Sequence, residues 1–155
     1  MPYLIDGHNL IPKIGLHLSS LDDEKALMER LQEFCRLRRA NVEVYFDGAP
    51  PGQAGTRKSG SLTAHFVSQA SSADAAIEMR LARLGRAARN WTVVSSDARV
   101  QGAARAAHAG VISSEEFARE MSRVRAAGEL KTNQTATLAP DEVEEWLEIF
   151  NHKKG

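Results

Sequence analysis

Residues 2–9 read "PYLIDGHN". Tyr3, Leu4 and Ile5 form an unbroken apolar run, the pattern of a short strand covered on both faces. Such a strand runs straight into Asp6, Gly7, His8 and Asn9, which is explicable if its end reaches a rim where polar groups are used. In a parallel sheet every strand ends on the same side, and open α/β sheets bind ligands at that carboxyl edge. The reading of the fold therefore turns on whether other strands deliver acids to the same edge.

Working outward, strand patterns recur at "VEVYF" (42–46), "LTAHFV" (62–67), "WTVVSS" (91–96) and "GVI" (110–112). Helical patterns lie between them. Leu27, Leu31 and Phe34 recur at helical spacing within 22–39, behind Asp22 and Asp23, which suit a helix N-terminus. Ile77, Leu81, Leu84 and Ala88 make a stripe within 73–89, the stretch 98–109 is alanine-rich, and 114–126 opens on "SSEEF", a serine cap followed by acids. This alternation predicts an α/β domain with a central, mainly parallel, five-stranded sheet flanked by helices. The segment 47–61 reads as a Gly/Pro/Ser loop and 127–140 as a polar mobile segment. Residues 141–150 read as an acidic amphipathic helix with Val143, Trp146, Leu147 and Phe150 on its docking face. The expected organisation is a domain over 1–127, with the mobile segment and terminal helix of 128–155 docked on it.

Topology then places four aspartates at one edge. Asp6, Asp47 and Asp97 each follow a strand, and Asp74 sits in the first turn of the helix after the third strand. At 100° per residue Asp74 lies about 50° from the centre of its helix's apolar stripe and Glu78 about 90°, so Asp74 faces the sheet margin and Glu78 is peripheral. Clustered carboxylates raise one another's pKa unless a cation neutralises them. Oxygen donors without thiolates suit Mg²⁺ or Mn²⁺, ions that activate water and clamp phosphoryl oxygens. Each acid also has an ordinary reading: Asp74 as a helix-dipole residue, Asp97 as a cap, Asp6-Gly7 and Asp47-Gly48 as turns. Finding all four at one edge favours the functional reading. Asn9 adds a neutral oxygen or amide donor, and Gly7 reads as a residue that lets the backbone turn. His8 reads as a loop residue, His65 as structural and Cys35 as core.

Composition sets the outer bounds. The chain has 155 residues, 43% hydrophobic and 26% charged, with formal net charge +0. That length suits one domain. One cysteine rules out a disulfide framework or a cysteine zinc site. No apolar run approaches a membrane span, and Asp6 interrupts any signal-peptide profile, so a cytoplasmic protein is expected. Charge is segregated: residues 48–114 carry eight Lys/Arg against three acids, which permits a basic face on a neutral protein.

The ordered set "YLIDGHNLI", "VEVYFDG", "SSADAAIEMRL" and "TVVSSDARVQGAARAAHAGVISSEEF" resembles the NYN domain, in particular its YacP-like branch, within the PIN-like nuclease superfamily. The match spans about Tyr3 to Phe117. The resemblance implies a PIN-like three-layer fold and metal-dependent endoribonuclease activity. For this branch it also implies ribosome association and messenger RNA cleavage. Carried over by position, it implies that Asp6, Asp74 and Asp97 are the catalytic metal ligands, with Asn9 and Asp47 in support. Many PIN nucleases carry a further acid soon after the fourth-strand aspartate. Here 98–114 has none, offering Arg99, Arg105 and His108 instead, which favours one ion over two.

The expected function is hydrolysis of phosphodiester bonds in single-stranded RNA, with Arg57, Lys58, Arg99 and Lys131 holding phosphates. Aromatic residues are only 6% of the chain and none lies in the basic loops, so a base-stacking platform is not expected. The rivals are a non-catalytic RNA- or ribosome-binding module, a Mg²⁺-dependent phosphohydrolase, and a DNA nuclease. No glycine-rich phosphate loop follows a strand, which disfavours a nucleoside-triphosphate enzyme.

Overall fold

A computed structural model of the chain describes residues 1–15 and 21–136. Strand β1 (Pro2–Asp6) is followed by a one-turn helix α1 (Gly7–Leu10), a 3₁₀ turn (Ile11–Ile14) and helix α2 (Leu21–Arg38). Then come β2 (Asn41–Ala49), β3 (Gly55–Ser59), β4 (Leu62–Ser68), α3 (Ala73–Leu84), β5 (Thr92–Val94), α4 (Ala98–Ala106), β6 (Gly110–Ile112) and α5 (Ser114–Ala136). They build a six-stranded sheet in the order β3-β4-β2-β1-β5-β6, parallel throughout except for the β3–β4 pair.

The apolar run at 3–5 behaves as its pattern requires, since β1 lies at the centre of the sheet and both its faces are covered. Tyr3 and Ile5 join one core with Leu27, Leu31 and Phe34 of α2 and Phe117 of α5. Leu4 points into the other, with Ile77 and Leu81 of α3 and Val100 of α4. The result is three layers, with α2 and α5 on one face and α3 and α4 on the other.

The predicted α/β architecture holds, with one strand more than the five expected. The addition is β3, cut from the stretch read as a loop. "GTRKS" has no apolar residue and is fully exposed, so nothing in its periodicity marks it as a strand. It forms because β4 offers an open edge and Gly60-Ser61 makes a two-residue hairpin between Ser59 and Leu62, with Gly60 at φ 59°. Its Arg and Lys also guard the new edge against further pairing. A second difference lies at α5, which continues to Ala136 across 127–136, the first part of the segment read as mobile. The predicted docking helix at 141–150 lies outside the described residues. Among the described residues no helix is long and apolar enough to cross a membrane.

Candidate active site at the carboxyl edge of the sheet

Register sets the site. Asp6 is paired with Tyr45, and Ile5 with Val94, so Ser95 follows β5 level with Asp6. Asp6 is only 7% exposed. Its carboxyl is pushed up to about 6 by burial first, then by the negative charges of Asp74 and Asp47, against hydrogen bonds from the Asn9 backbone and Ser95. Ser95, fully buried, donates to Asp6 Oδ2 at 3.4 Å and accepts from the Asp97 N–H at 3.0 Å. One hydroxyl thus ties the two predicted ligands together.

Asp74 enters from α3, whose first turn is fixed by Ser72: the hydroxyl accepts from the Ala75 N–H at 3.1 Å. Its carboxyl is also raised, by burial and by Asp97, while Arg99 works in the opposite direction. Asp97 is the N-cap of α4, accepting from the N–H groups of Arg99 (2.8 Å) and Val100 (3.2 Å) through Oδ1. The capping reading is realised, and the cap stands at the same sheet edge as Asp6, tied to it through Ser95. Asp47 lies where the β2–β4 register slips between Phe46 and Ala49, an irregularity of the kind that re-aims a side chain at a sheet rim.

Asn9 ties three segments of this edge together. Its Oδ1 accepts from the Ser96 N–H (2.8 Å) and from the Ser114 hydroxyl (2.6 Å), fastening the turn after β1 to the turns after β5 and β6. Glu115, at the start of α5, accepts from the Ser96 hydroxyl (2.7 Å) and pairs with Lys13 (3.0 Å), which hold its pKa down to about 2. It is the acid nearest in sequence beyond the acid-free stretch 98–114, and both its oxygens are engaged.

His8 was expected to be an unassigned loop residue, but it lies in α1 and bridges two acids. Nδ1 is 2.8 Å from Asp47 Oδ1 and Nε2 is 2.5 Å from Glu24 Oε2. Two carboxylate acceptors are satisfied together only by the doubly protonated ring. Burial opposes that charge, yet Asp47 and Glu24 outweigh it and hold the pKa above the ordinary histidine value. The partners are 39 and 16 residues away, so no local signal announces the clamp; serines 95 and 114 were missed for the same reason. Gly7 matters for a reason other than the predicted turn. A Cβ there would lie 2.5 Å from Phe46 Cε1 and 2.9 Å from the Tyr45 carbonyl oxygen, so the chain needs a residue without a side chain at this crossing.

The predicted phosphate-binding residues divide. Arg99 stands by the acids, held in a two-pronged ion pair with Glu78 (3.1 and 2.8 Å). Arg57 and Lys58 are exposed on β3, away from the crevice between β1 and β5. Lys131 falls in the C-terminal turns of α5.

Among the described residues no three His, Cys, Asp or Glu side chains are drawn together into a ready-made metal-holding group. The acids are instead spaced around the crevice within electrostatic reach of one another. The donor set still fits a hard divalent cation. It is all oxygen, and its buried member is reluctant to ionise unaided. Of the nearby cations Arg99 is engaged by Glu78 while His8 is shared between Asp47 and Glu24, leaving Asp6, Asp74 and Asp97 without a paired cation of their own.

Solved structures share this fold. The crystal structure of Rae1 (YacP) from Bacillus subtilis superposes with a TM-score of 0.70 at 22% identity, covering 99% of this chain and 94% of that one. Its W164L mutant gives 0.72 at 21%, covering 95% and 91%. No curated protein matches the chain. The family model for the YacP-like NYN domain matches residues 3–151, well past the motif-bearing stretch that ends at Phe117. With nearly the whole chain matched, the chain belongs to the YacP-like NYN domain family, a nuclease-type family whose function is tied to RNA.

Proposed function

We propose that this protein is a metal-dependent endoribonuclease, acting on single-stranded RNA at the Asp6/Asp74/Asp97 edge with Mg²⁺ or Mn²⁺. The observation that carries the reading is the electrostatic state of Asp6: a buried carboxylate, crowded by Asp74 and Asp47 and pushed up to about 6. A group so placed destabilises the empty site and favours a cation. Asp6, Asp74 and Asp97 would hold it, and when bound it would supply an activated water and neutralise developing charge on the phosphoryl oxygens. Ser95 keeps Asp6 and Asp97 in step, and Asn9 locks the surrounding turns. His8 holds Asp47 in place through a hydrogen bond from Nδ1. Arg99 is placed to exchange Glu78 for a phosphate, and Lys58 and Arg57 extend the track for the backbone. Contacts of this type give salt-sensitive, sequence-poor affinity. The family's implied ribosome association offers a source of selectivity that these residues lack.

The test is cleavage of a generic single-stranded RNA in Mn²⁺, Mg²⁺ or EDTA, beside Asp6→Asn/Asp97→Asn. Metal-dependent cutting lost in the double variant is the expected result. Cutting that survives in the variant would overturn the site. RNA binding without turnover, unchanged by metal, would favour a binding module instead.

A further inference from the structure

Between the N-terminal part of α2 and the β2–β3 connection lies a groove of about 430 Å³, lined by Met28, Asp47, Pro50, Gln53, Arg57 and Phe66 among others. Behind its lining runs a ladder of flat groups, of which Phe66 and Arg57 reach the groove. His8 lies 5.5 Å from Phe46, Phe46 stacks on Phe66 at 5.4 Å with 27° between planes, and the Arg57 guanidinium sits over the Phe66 ring at 4.9 Å. The ladder begins beside the acids, at the residue that clamps Asp47, and ends on the exposed β3 strand. Composition gave no hint of it. Phe46 and Phe66 read as strand core, and Arg57 joins them only because β3 pairs antiparallel with β4.

We infer that this groove is a nucleobase site, in which an unpaired base of the RNA strand stacks against the Arg57–Phe66 pair while its phosphates run toward Asp47 and the acid edge. Three features favour that occupant. The wall offers the guanidinium plane of Arg57 backed by the Phe66 ring beneath it, a kind of surface on which single-stranded bases stack. The cations Arg57 and Lys25 stand at the groove to meet the flanking phosphates, and of the acids that also line it, Asp22, Glu24 and Asp47, the last two are paired with His8. Asp47 belongs both to the groove and to the candidate site, so one strand can engage both. The inference rests on the RNA-cleaving reading above and adds to it a site that reads bases through their π-faces, in a sequence-tolerant way.

The test uses full-length protein in EDTA and two RNA hexamers, one with stable abasic residues throughout and one with a single 2-aminopurine at its centre. The base-bearing hexamer should bind about tenfold more tightly than the abasic one, with its fluorescence quenched on binding. Arg57→Lys keeps the charge and loses the plane, so it should remove most of the difference. Phe66→Leu, checked for retained thermal stability, should do the same. Lys58→Ala should weaken both hexamers by the same factor. Equal binding of the two hexamers by the native protein, or an Arg57→Lys effect equal on both, would overturn the base site. Cleavage of generic RNA is followed in parallel with Mn²⁺. Cleavage without base preference removes this inference alone, and base preference without cleavage removes the nuclease reading alone. Neither activity removes both.

Discussion

At the scale of single residues, the site is built by two kinds of pressure, steric at Gly7 and electrostatic at Asp6. A methyl at position 7 has nowhere to go, because one neighbour is the buried Phe46 ring and another is backbone. Gly7→Ala should lower stability by about 2–3 kcal/mol, read as a drop in denaturant midpoint, and should loosen α1 with it. Gly102 in α4 is the contrast: a Cβ there meets nothing within 4 Å, so Gly102→Ala should stabilise by about 0.5–1 kcal/mol. Equal effects at the two positions would show that close packing at Gly7 is not what the fold requires. Asp6 presents the opposite case, a residue kept at the expense of stability. Asp6→Asn removes a crowded buried charge and should raise stability at pH 7 by about 1–2 kcal/mol. In thermal unfolding Mn²⁺ should raise the midpoint of the native protein and leave that of Asp6→Asn nearly unchanged. Asp6 was legible in the sequence because an acid ending an apolar strand is anomalous. His8 was not, because a histidine in a short polar run becomes a clamp only through partners delivered by α2 and β2.

At the scale of elements, what could be read and what could not follow one rule. Elements that bury apolar surface announce themselves by period, as β1, β2 and β4 do, and likewise α2 with Leu27, Leu31 and Phe34. Elements held by pairing or capping alone do not: β3 is exposed along its length, and the far end of α5 is polar. Helix α3 belongs to the first class, yet its first turn depends on a cap. Ser72 fixes the turn that carries Asp74, and Arg80 fixes the helix further along by a two-pronged pair with Glu43 of β2 (3.0 and 2.9 Å). Ser72→Ala should therefore cost about 1 kcal/mol. It should also lower the cleavage rate several-fold, with little change in RNA affinity, because Asp74 is displaced while the phosphate-binding residues are not. Stability unchanged by the substitution would show that the cap hydrogen bond does not hold the helix start.

At the scale of the whole molecule, the two sides of the sheet margin titrate in opposite senses. Glu43 is buried enough to be penalised, but His65, Arg80 and Tyr45 outweigh this and hold its pKa down to about 2. The Arg80 and Tyr45 contacts are true hydrogen bonds at 2.9–3.0 Å, whereas His65 Nε2 stands 3.5 Å from Glu43 Oε1 without a hydrogen bond. A depressed carboxyl stabilises the fold above its unfolded pKa, and that contribution is lost as pH falls from about 4.5 toward 2. Asp6 works the other way. With its folded pKa raised from 3.8 to about 6, the folded state binds the extra proton between those values, so stability declines as pH rises across that window. His8 adds to the decline at higher pH: its folded pKa is raised, so its stabilisation is complete below about 6.5 and lost as pH climbs through the folded value. Metal-free protein should therefore be most stable between about pH 4 and 5, with the thermal midpoint falling on both sides. Measured in EDTA from pH 3 to 8, Asp6→Asn should flatten the curve between pH 4 and 6 and leave the acid limb intact. Glu43→Gln should flatten much of the acid limb, with Glu115 retaining a share of it, and leave the upper limb intact. A native curve that rises steadily to pH 7, or two variants that alter the same limb, would show that the sheet margin does not hold its acids in these two opposed states. The separation has a functional meaning. On the proposed reading, the acid-edge carboxylates oppose the fold when ionised without a cation, whereas the Glu43–Arg80 pair on the neighbouring face supports it in the same pH range, so the scaffold would hold at neutral pH the charge that a bound cation would neutralise.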